Sequence, residues 1–217
     1  KTEQEQLVVQ LNKLNEDLAR QNREKESLLK VTKNDEARYH QLLVQAQNEL
    51  NAIRTSQFTG KKDVKKGDTI GLMGSTGFST GPHLHFGVYN ISESQATSFV
   101  YGQGSNNPLD FLSNRTLNVD SDACYDKSGS SSLGSGSWNW PMDGPRISQC
   151  YGKTPYSSFF VYANGQHDGL DMYDNSDVIV RSVDDGVAYF YRGSSSFGNN
   201  VRVFHSNGKM TLYLHLQ

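Results

Sequence analysis

The sequence predicts a mainly β protein, a compact antiparallel sheet or open barrel, with a long N-terminal α-helical segment of coiled-coil type. Three observations predict it. Composition changes abruptly near residue 57, because residues 1–57 contain neither Gly nor Pro. Beyond that point, short apolar or alternating runs are bounded by Gly, Asn, Asp and Ser, as strands are. Turn signals recur at short intervals, as in a small sheet or barrel.

The first segment is rich in Gln, Glu, Lys, Asn and Leu. Leu7, Leu11, Leu14, Leu18 and Leu28 follow a/d heptad spacing, and Gln21 and Lys25 interrupt the seam. A second stripe runs through Tyr39, Leu42, Ala46 and Ile53, with Leu43 and Leu50 beside it. The stretch "TKNDEAR" between the stripes lacks core residues, so the segment reads as one long helix or as a hairpin turning near Asn34 and Asp35. A stripe this narrow needs a partner helix, from this chain or another.

Six later runs read as strands: "TIGLMG", "HLHFGVY", "DVIVRSV", "GVAYFYR", "NNVRVFH" and "MTLYLHL". They fall into two β-rich blocks, residues 58–113 and 138–217. Between them, 114–137 reads as a linker, Ser/Gly-rich toward its C-terminal end.

With 217 residues the chain can bury a sizeable core. Its 21 basic and 23 acidic residues give a net charge of −2, which leaves no footprint for nucleic acid or an anionic membrane. No apolar run approaches the roughly 18–20 residues of a membrane span. No signal peptide is visible, but the chain begins at Lys1 and reads as a processed or trimmed fragment, so this says little about export. The two cysteines, Cys124 and Cys150, fit neither a zinc knuckle nor a redox CxxC. They read either as a disulfide, which would imply an oxidising compartment, or as two unrelated thiols.

Chemistry concentrates at a few positions. In "STGPHLHFGVY", His83 and His85 are two apart, so on a strand they point to one face while Leu84 points away. Such a pair suits a metal ligand with a neighbouring acid or base. In "GQHDGLD", His167 and Asp171 are four apart. Gly165, Gly169 and the β-rich flanks argue against a helix, leaving a turn that feeds a strand. Asp168 competes with Asp171 as a ligand, and spacing alone does not choose. In "TLYLHL", simple alternation places Thr211, Tyr213 and His215 on one face and Leu212, Leu214 and Leu216 on the other. His205 precedes an Asn-Gly turn and reads as closing a hairpin. His40 lies in the helical segment and reads as solvent-facing.

Taken together, "GQHDGLD", "TLYLHL" and "GSTGFSTGPHLHF" resemble the lysostaphin-type, or LytM-domain, zinc endopeptidases of peptidoglycan. The resemblance extends to "WPMDGPRISQCYG", similar to the family's opening strand, and to "DVKKGDTIGLMGSTG". It implies Zn2+ held by His167, Asp171 and His85, with a fourth tetrahedral position for water or substrate. It also implies a catalytic pair, His83 and His215: one as general base for the attacking water, the other as hydrogen-bonding stabiliser of the tetrahedral intermediate. No H-E-x-x-H is present, so the Glu base of thermolysin-type enzymes is absent. The implied setting is bacterial and extracytoplasmic: secreted, periplasmic or wall-associated.

The chain departs from the family at Gly87, where Glu often follows "HLHF", and at Cys150, where Gly is frequent. The larger departure is order. The family runs H-x-x-x-D, Y-x-H, H-x-H, whereas here H-x-H comes first and the chain stops after "YLHL" at Gln217. Joining Gln217 to Phe58 would restore the order. Circular permutation, exchange between two copies, and a residue order that does not follow the gene all account for it, and permutation is the favoured reading. On that reading, 58–113 is the C-terminal half of the peptidase domain and 138–217 its N-terminal half. The helical segment then emerges near the cleft, to regulate access or to dock on a coiled-coil partner or a membrane-bound division or secretion complex. The expected function is endopeptidase cleavage of peptidoglycan cross-links or stem peptides. A catalytically inactive LytM-like module that recruits a partner hydrolase is the alternative. A wall-binding scaffold is a third reading, but it leaves the five polar residues without a role.

Overall fold

The computed structural model describes residues 57–77, 79, 81–157, 165–193 and 198–217, and every structural statement refers to these. The coiled-coil reading of 1–57, and His40 with it, lies outside them apart from Gln57. The described residues form twelve strands. These are β1 (Gln57–Val64), β2 (Thr69–Leu72), β3 (Leu84–Tyr89), β4 (Ser105–Asn106), β5 (Arg115–Val119) and β6 (Gly129–Leu133). There follow β7 (Arg146–Gln149), β8 (Leu170–Tyr173), β9 (Ile179–Arg181), β10 (Gly186–Arg192), β11 (Asn199–Phe204) and β12 (Met210–Leu216).

Ten strands make one sheet in the order β1-β10-β11-β12-β3-β8-β7-β5-β6, with β4 added to β3, and β2 and β9 pair separately. All six strands expected from apolar runs are present. The fold is mainly β, and its pairings are antiparallel except β5 with β7.

The sheet is covered on both sides at its centre. Every residue of β3 and of β12 is buried. Cross-strand partners lie on one face of a sheet, so register assigns the faces. Phe86 stands opposite Tyr213 on one side and Leu170 on the other. These join Leu84, Met172 and Ile147 in the larger core. The opposite face carries Tyr89, Met210, Leu212 and Leu214 in a smaller cluster, partly covered by the segment that returns through Phe99 and Tyr101. Burial of both faces explains why "LHFGVY" and "MTLYLHL" read as nearly continuous apolar runs rather than clean alternations.

The hairpin between β11 and β12 closes where the Asn-Gly signal stands. Gly208 has a φ of 75°, which glycine adopts without strain, and His205 N–H donates to the Lys209 carbonyl at 2.8 Å. The His205 side chain is itself buried, with Nδ1 on the Asp185 carbonyl and Nε2 on Thr211 Oγ1.

Residues 114–137 do not form the linker that their composition suggests. β5 and β6 pair as a hairpin, β5 joins β7, and Leu117, Val119, Ala123 and Leu133 enter the core. The serines occupy the edge strand β6, where most positions stay exposed and a polar side chain costs nothing. Cys124, in the turn of this hairpin, forms a disulfide with Cys150 directly after β7, with Cα atoms 5.2 Å apart. That resolves the cysteine question in favour of the bridge, and the Cys150 N–H also donates to the Ala123 carbonyl at 2.9 Å.

Phe86 is fully buried and its ring centroid lies 5.3 Å from that of Tyr213. Replacing it by Ala is expected to cost about 3–5 kcal/mol in chemical denaturation, without a change in m-value. A loss under about 1 kcal/mol contradicts this packing.

Candidate metal centre

Three separated pieces of sequence converge through the pairing of β3. His85 stands opposite Leu214 of β12 on one side and Asp171 of β8 on the other. His167 arrives by the turn before β8, held by a bridge with Gly152 in which each N–H donates to the other's carbonyl, at 2.8 and 3.0 Å. The result is a triangle of donor atoms. His85 Nδ1 lies 2.8 Å from Asp171 Oδ1 and 3.2 Å from His167 Nε2, and His167 Nε2 lies 3.3 Å from Asp171 Oδ1. Ligands at about 2.0–2.2 Å around a tetrahedral ion stand roughly 3.3–3.5 Å apart, so this donor set fits a zinc-sized cation after small adjustments. It is one group of His and Asp side chains able to hold a metal among the described residues.

The surroundings orient these donors. His167 Nδ1 donates to the Cys150 carbonyl at 2.8 Å, which leaves Nε2 to face the triangle. The disulfide fixes that carbonyl. Gly169 is required on steric grounds: a Cβ there would come within 2.5 Å of His85 Nε2 and 2.9 Å of the Phe86 carbonyl. Spacing and composition marked Gly169 only as a helix breaker, and this role was not visible in them. Asp168 does not join the triangle. Its Oδ2 accepts from Tyr89 O–H at 2.6 Å, and its Oδ1 lies 3.9 Å from His85 Nε2. Tyr101 Oη lies 3.4 Å from the same nitrogen. Neither tyrosine had been marked by its sequence position.

His83 and His215 meet beside this centre, with ring centroids 4.5 Å apart. Alternation had placed His215 with Tyr213, away from the leucines. The structure differs because β12 carries a bulge. Asn199 pairs with Leu216 and Val201 with Tyr213, so Leu214 and His215 together face the single Asn200. His215 has a φ of 62°, and it is the one non-glycine with positive φ among the described residues. That left-handed backbone is costly for a side chain other than Gly, and such outliers gather at functional positions. It turns the ring toward His83, while Tyr213 and Leu216 stay in the larger core.

The loop between β2 and β3 holds both rings. It is pinched at its base by the Gly74–His83 bridge. His215 Nδ1 donates to the Thr76 carbonyl at 3.1 Å, and His83 Nδ1 to the Gly81 carbonyl at 2.9 Å. Thr76 Oγ1 in turn donates to the Leu216 carbonyl and accepts from the Asn199 N–H, which ties the loop to the bulge.

Electrostatics follow from burial and proximity. Burial alone would lower the His167 pKa, but the Asp171 carboxylate, with Asp168 and the Cys150 carbonyl, pushes it up to about 9. Burial would raise the Asp171 carboxyl, yet His167 and His85 hold it well below the usual carboxylate range.

A family model described as Peptidase family M23 matches residues 30–98. That span contains His83 and His85 but neither His167, Asp171 nor His215. No curated protein and no solved structure matches the chain. The matched span includes the H-x-H segment, and the triangle of donor atoms, most of which lies outside that span, is an independent observation.

The metal-free protein should show a distinct pH response. The folded His167 pKa of about 9 stands above its ordinary 6.5, so its stabilising effect is complete below 6.5 and fades as pH rises through about 9. Asp171 acts in the other direction: its effect is present above about pH 4 and fades only as pH falls further. In the presence of chelator, the thermal midpoint should decline between about pH 7 and 9 in the wild type, and this decline should be missing in His167→Gln. A wild-type midpoint that is flat across that interval contradicts the pairing.

Proposed function

We propose that this protein is a zinc-dependent endopeptidase that hydrolyses peptide cross-links or stem peptides of bacterial peptidoglycan. The observation that carries this reading is the triangle of His85 Nδ1, His167 Nε2 and Asp171 Oδ1 at 2.8–3.3 Å, beside a pair of histidines whose Nδ1 atoms are already engaged. The Peptidase family M23 match across the H-x-H segment supports the same class of chemistry.

In this reading His85, His167 and Asp171 hold Zn2+. When bound, such an ion polarises a peptide carbonyl and acidifies water. The protein's own groups do the rest. His83 and His215 each give the Nδ1 proton to a backbone carbonyl, so Nε2 is the basic nitrogen of each neutral ring. One takes the proton of the attacking water and later delivers it to the leaving amine. The other, in its protonated form, donates a hydrogen bond to the oxygen that gains charge in the tetrahedral intermediate. The two tasks need opposite protonation states.

The motif order is read as a circular permutation. Gln217 N–H donates to the Leu72 carbonyl, and Gln217 lines one cavity with Thr59, so the two ends to be joined lie in one neighbourhood. An extracytoplasmic location is favoured by the disulfide, since such bridges persist in oxidising compartments. No helix among the described residues is long and apolar enough to cross a membrane. The helical segment is read as the docking arm, with a coiled-coil partner or a membrane-bound complex as its target.

The test is metal analysis of purified protein together with hydrolysis of isolated cell walls by wild type and His85→Ala. One equivalent of zinc and hydrolysis are expected in the wild type, both lost in the variant. Bound zinc without hydrolysis of any wall type would favour the inactive recruiting module, and no bound zinc would overturn both. Removing residues 1–57 should then change cell-wall localisation or rate, and unchanged values for both would sink the docking arm.

A further inference from the structure

His85 is bracketed at both ring nitrogens. Asp171 meets Nδ1, on the side of the donor triangle. Asp168 faces Nε2 on the far side, at 3.9 Å. At that distance it is not a hydrogen bond, but both side chains are almost completely buried, at 1 % and 6 % exposure, where an electrostatic interaction is poorly screened. Asp168 Oδ1 has no hydrogen-bond partner among the described residues. Its other oxygen is anchored by Tyr89 O–H at 2.6 Å.

The anchor depends on Gly87. A Cβ at Gly87 would lie 2.8 Å from the Tyr89 ring, so the ring occupies the space that any side chain at 87 would take. Gly87 shares a sheet face with His85, being two residues further along β3. The carboxylate near His85 comes from the turn that enters β8, and Tyr89 passes through the gap at Gly87 to hold it.

We propose that Asp168 is a positioning residue for His85. Resting on the zinc-site reading above, it keeps the proton on Nε2 so that the Nδ1 lone pair faces the ligand triangle. The requirement is chemical. A neutral imidazole carries one proton, and a ligand nitrogen must be the one without it. Tyr101 Oη, also near Nε2, accepts the same proton or yields its own, so it does not fix the tautomer by itself. A carboxylate only accepts. Asp168 thus biases the ring in one direction, and the two aspartates of "HDGLD" separate into a ligand and a ligand-orienting group.

The experiment compares full-chain wild type, Asp168→Asn and Tyr89→Phe. Zinc affinity is measured by competition with a chromophoric chelator, and the His85 Nε2 proton of the zinc-loaded proteins is followed by 15N-resolved NMR. Asp168→Asn keeps an acceptor for Tyr89 and removes the charge. It is expected to bind zinc about 10–100-fold more weakly and to lose protection of the Nε2 proton from exchange. Tyr89→Phe keeps the ring in its gap and should weaken zinc less than tenfold, in the same direction. It serves alone if the asparagine variant fails to fold. Affinity and proton protection equal to wild type in the tested variants would overturn the positioning role while leaving the zinc site intact. A wild type that binds no zinc would overturn the zinc site and this proposal together.

Discussion

The site depends on one constraint, the register of β3 between β12 and β8. His85 faces Leu214 and Asp171 at the same level of the sheet, and a slip of one residue between β3 and β8 would send His85 and Asp171 to opposite faces. The slip is opposed by the larger core. Phe86 must meet Tyr213 and Leu170 on the other face, and these three side chains are fully buried. The apolar face therefore sets the register, and the register aligns the polar face. This division explains how buried imidazoles and carboxylates are tolerated: the core on one side supplies the energy, and His85, His167 and Asp171 on the other hydrogen-bond or pair with one another.

Around that register the chain adds local corrections. The bulge in β12 moves His215 off the path that alternation dictates and accepts a left-handed backbone to do so. The pinched loop then holds both rings, His215 through the Thr76 carbonyl and His83 through the Gly81 carbonyl and Ser79 Oγ. On the opposite flank, the disulfide holds the carbonyl that orients His167, and Gly169 lets the His85 ring pass close to the backbone. Each device acts on a ring's direction rather than on its position along a strand, which the sheet already determines.

These two levels separate what the sequence discloses from what it hides. Strands read from apolar runs, the His83–His85 pair and the cluster at 167–171 were legible because period and side-chain chemistry are local properties. The hairpin at 114–137 was hidden because an exposed edge strand tolerates Ser and Gly as a linker does, and only Leu117, Val119 and Leu133 betray it. The facing of His215 was hidden because a bulge is a property of two strands, not of one. Tyr89 and Tyr101, and the contacts of Asp168 though not its candidacy, were hidden for the same reason: such residues are identified by what they meet in the folded chain. Of Asp168 and Asp171, between which spacing leaves the choice open, strand pairing brings Asp171 into the group with His85 and His167. Asp171 stands opposite His85 in β8, whereas Asp168 lies in the turn before that strand begins.

The same logic bears on the order of the motifs. A β-sheet is specified by which strands are neighbours, and along the main path the neighbours of β3 (Leu84–Tyr89) are β8 (Leu170–Tyr173) and β12 (Met210–Leu216), both far along the chain. Nothing in the pairing of β12, β3 and β8 requires the connection that would run from Gln217 toward Thr59. Antiparallel strands from remote parts of a chain form the same ladders as a hairpin does, at the cost of closing longer loops. That cost grows only logarithmically with loop length, so the long connections between these strands are a small penalty beside the burial of β3 and β12 on both faces. What the long separations do tax is speed of assembly, since the three central strands are all distant in sequence. The sequence-adjacent pairs β5–β6, β10–β11 and β11–β12 are local contacts from which that assembly can start.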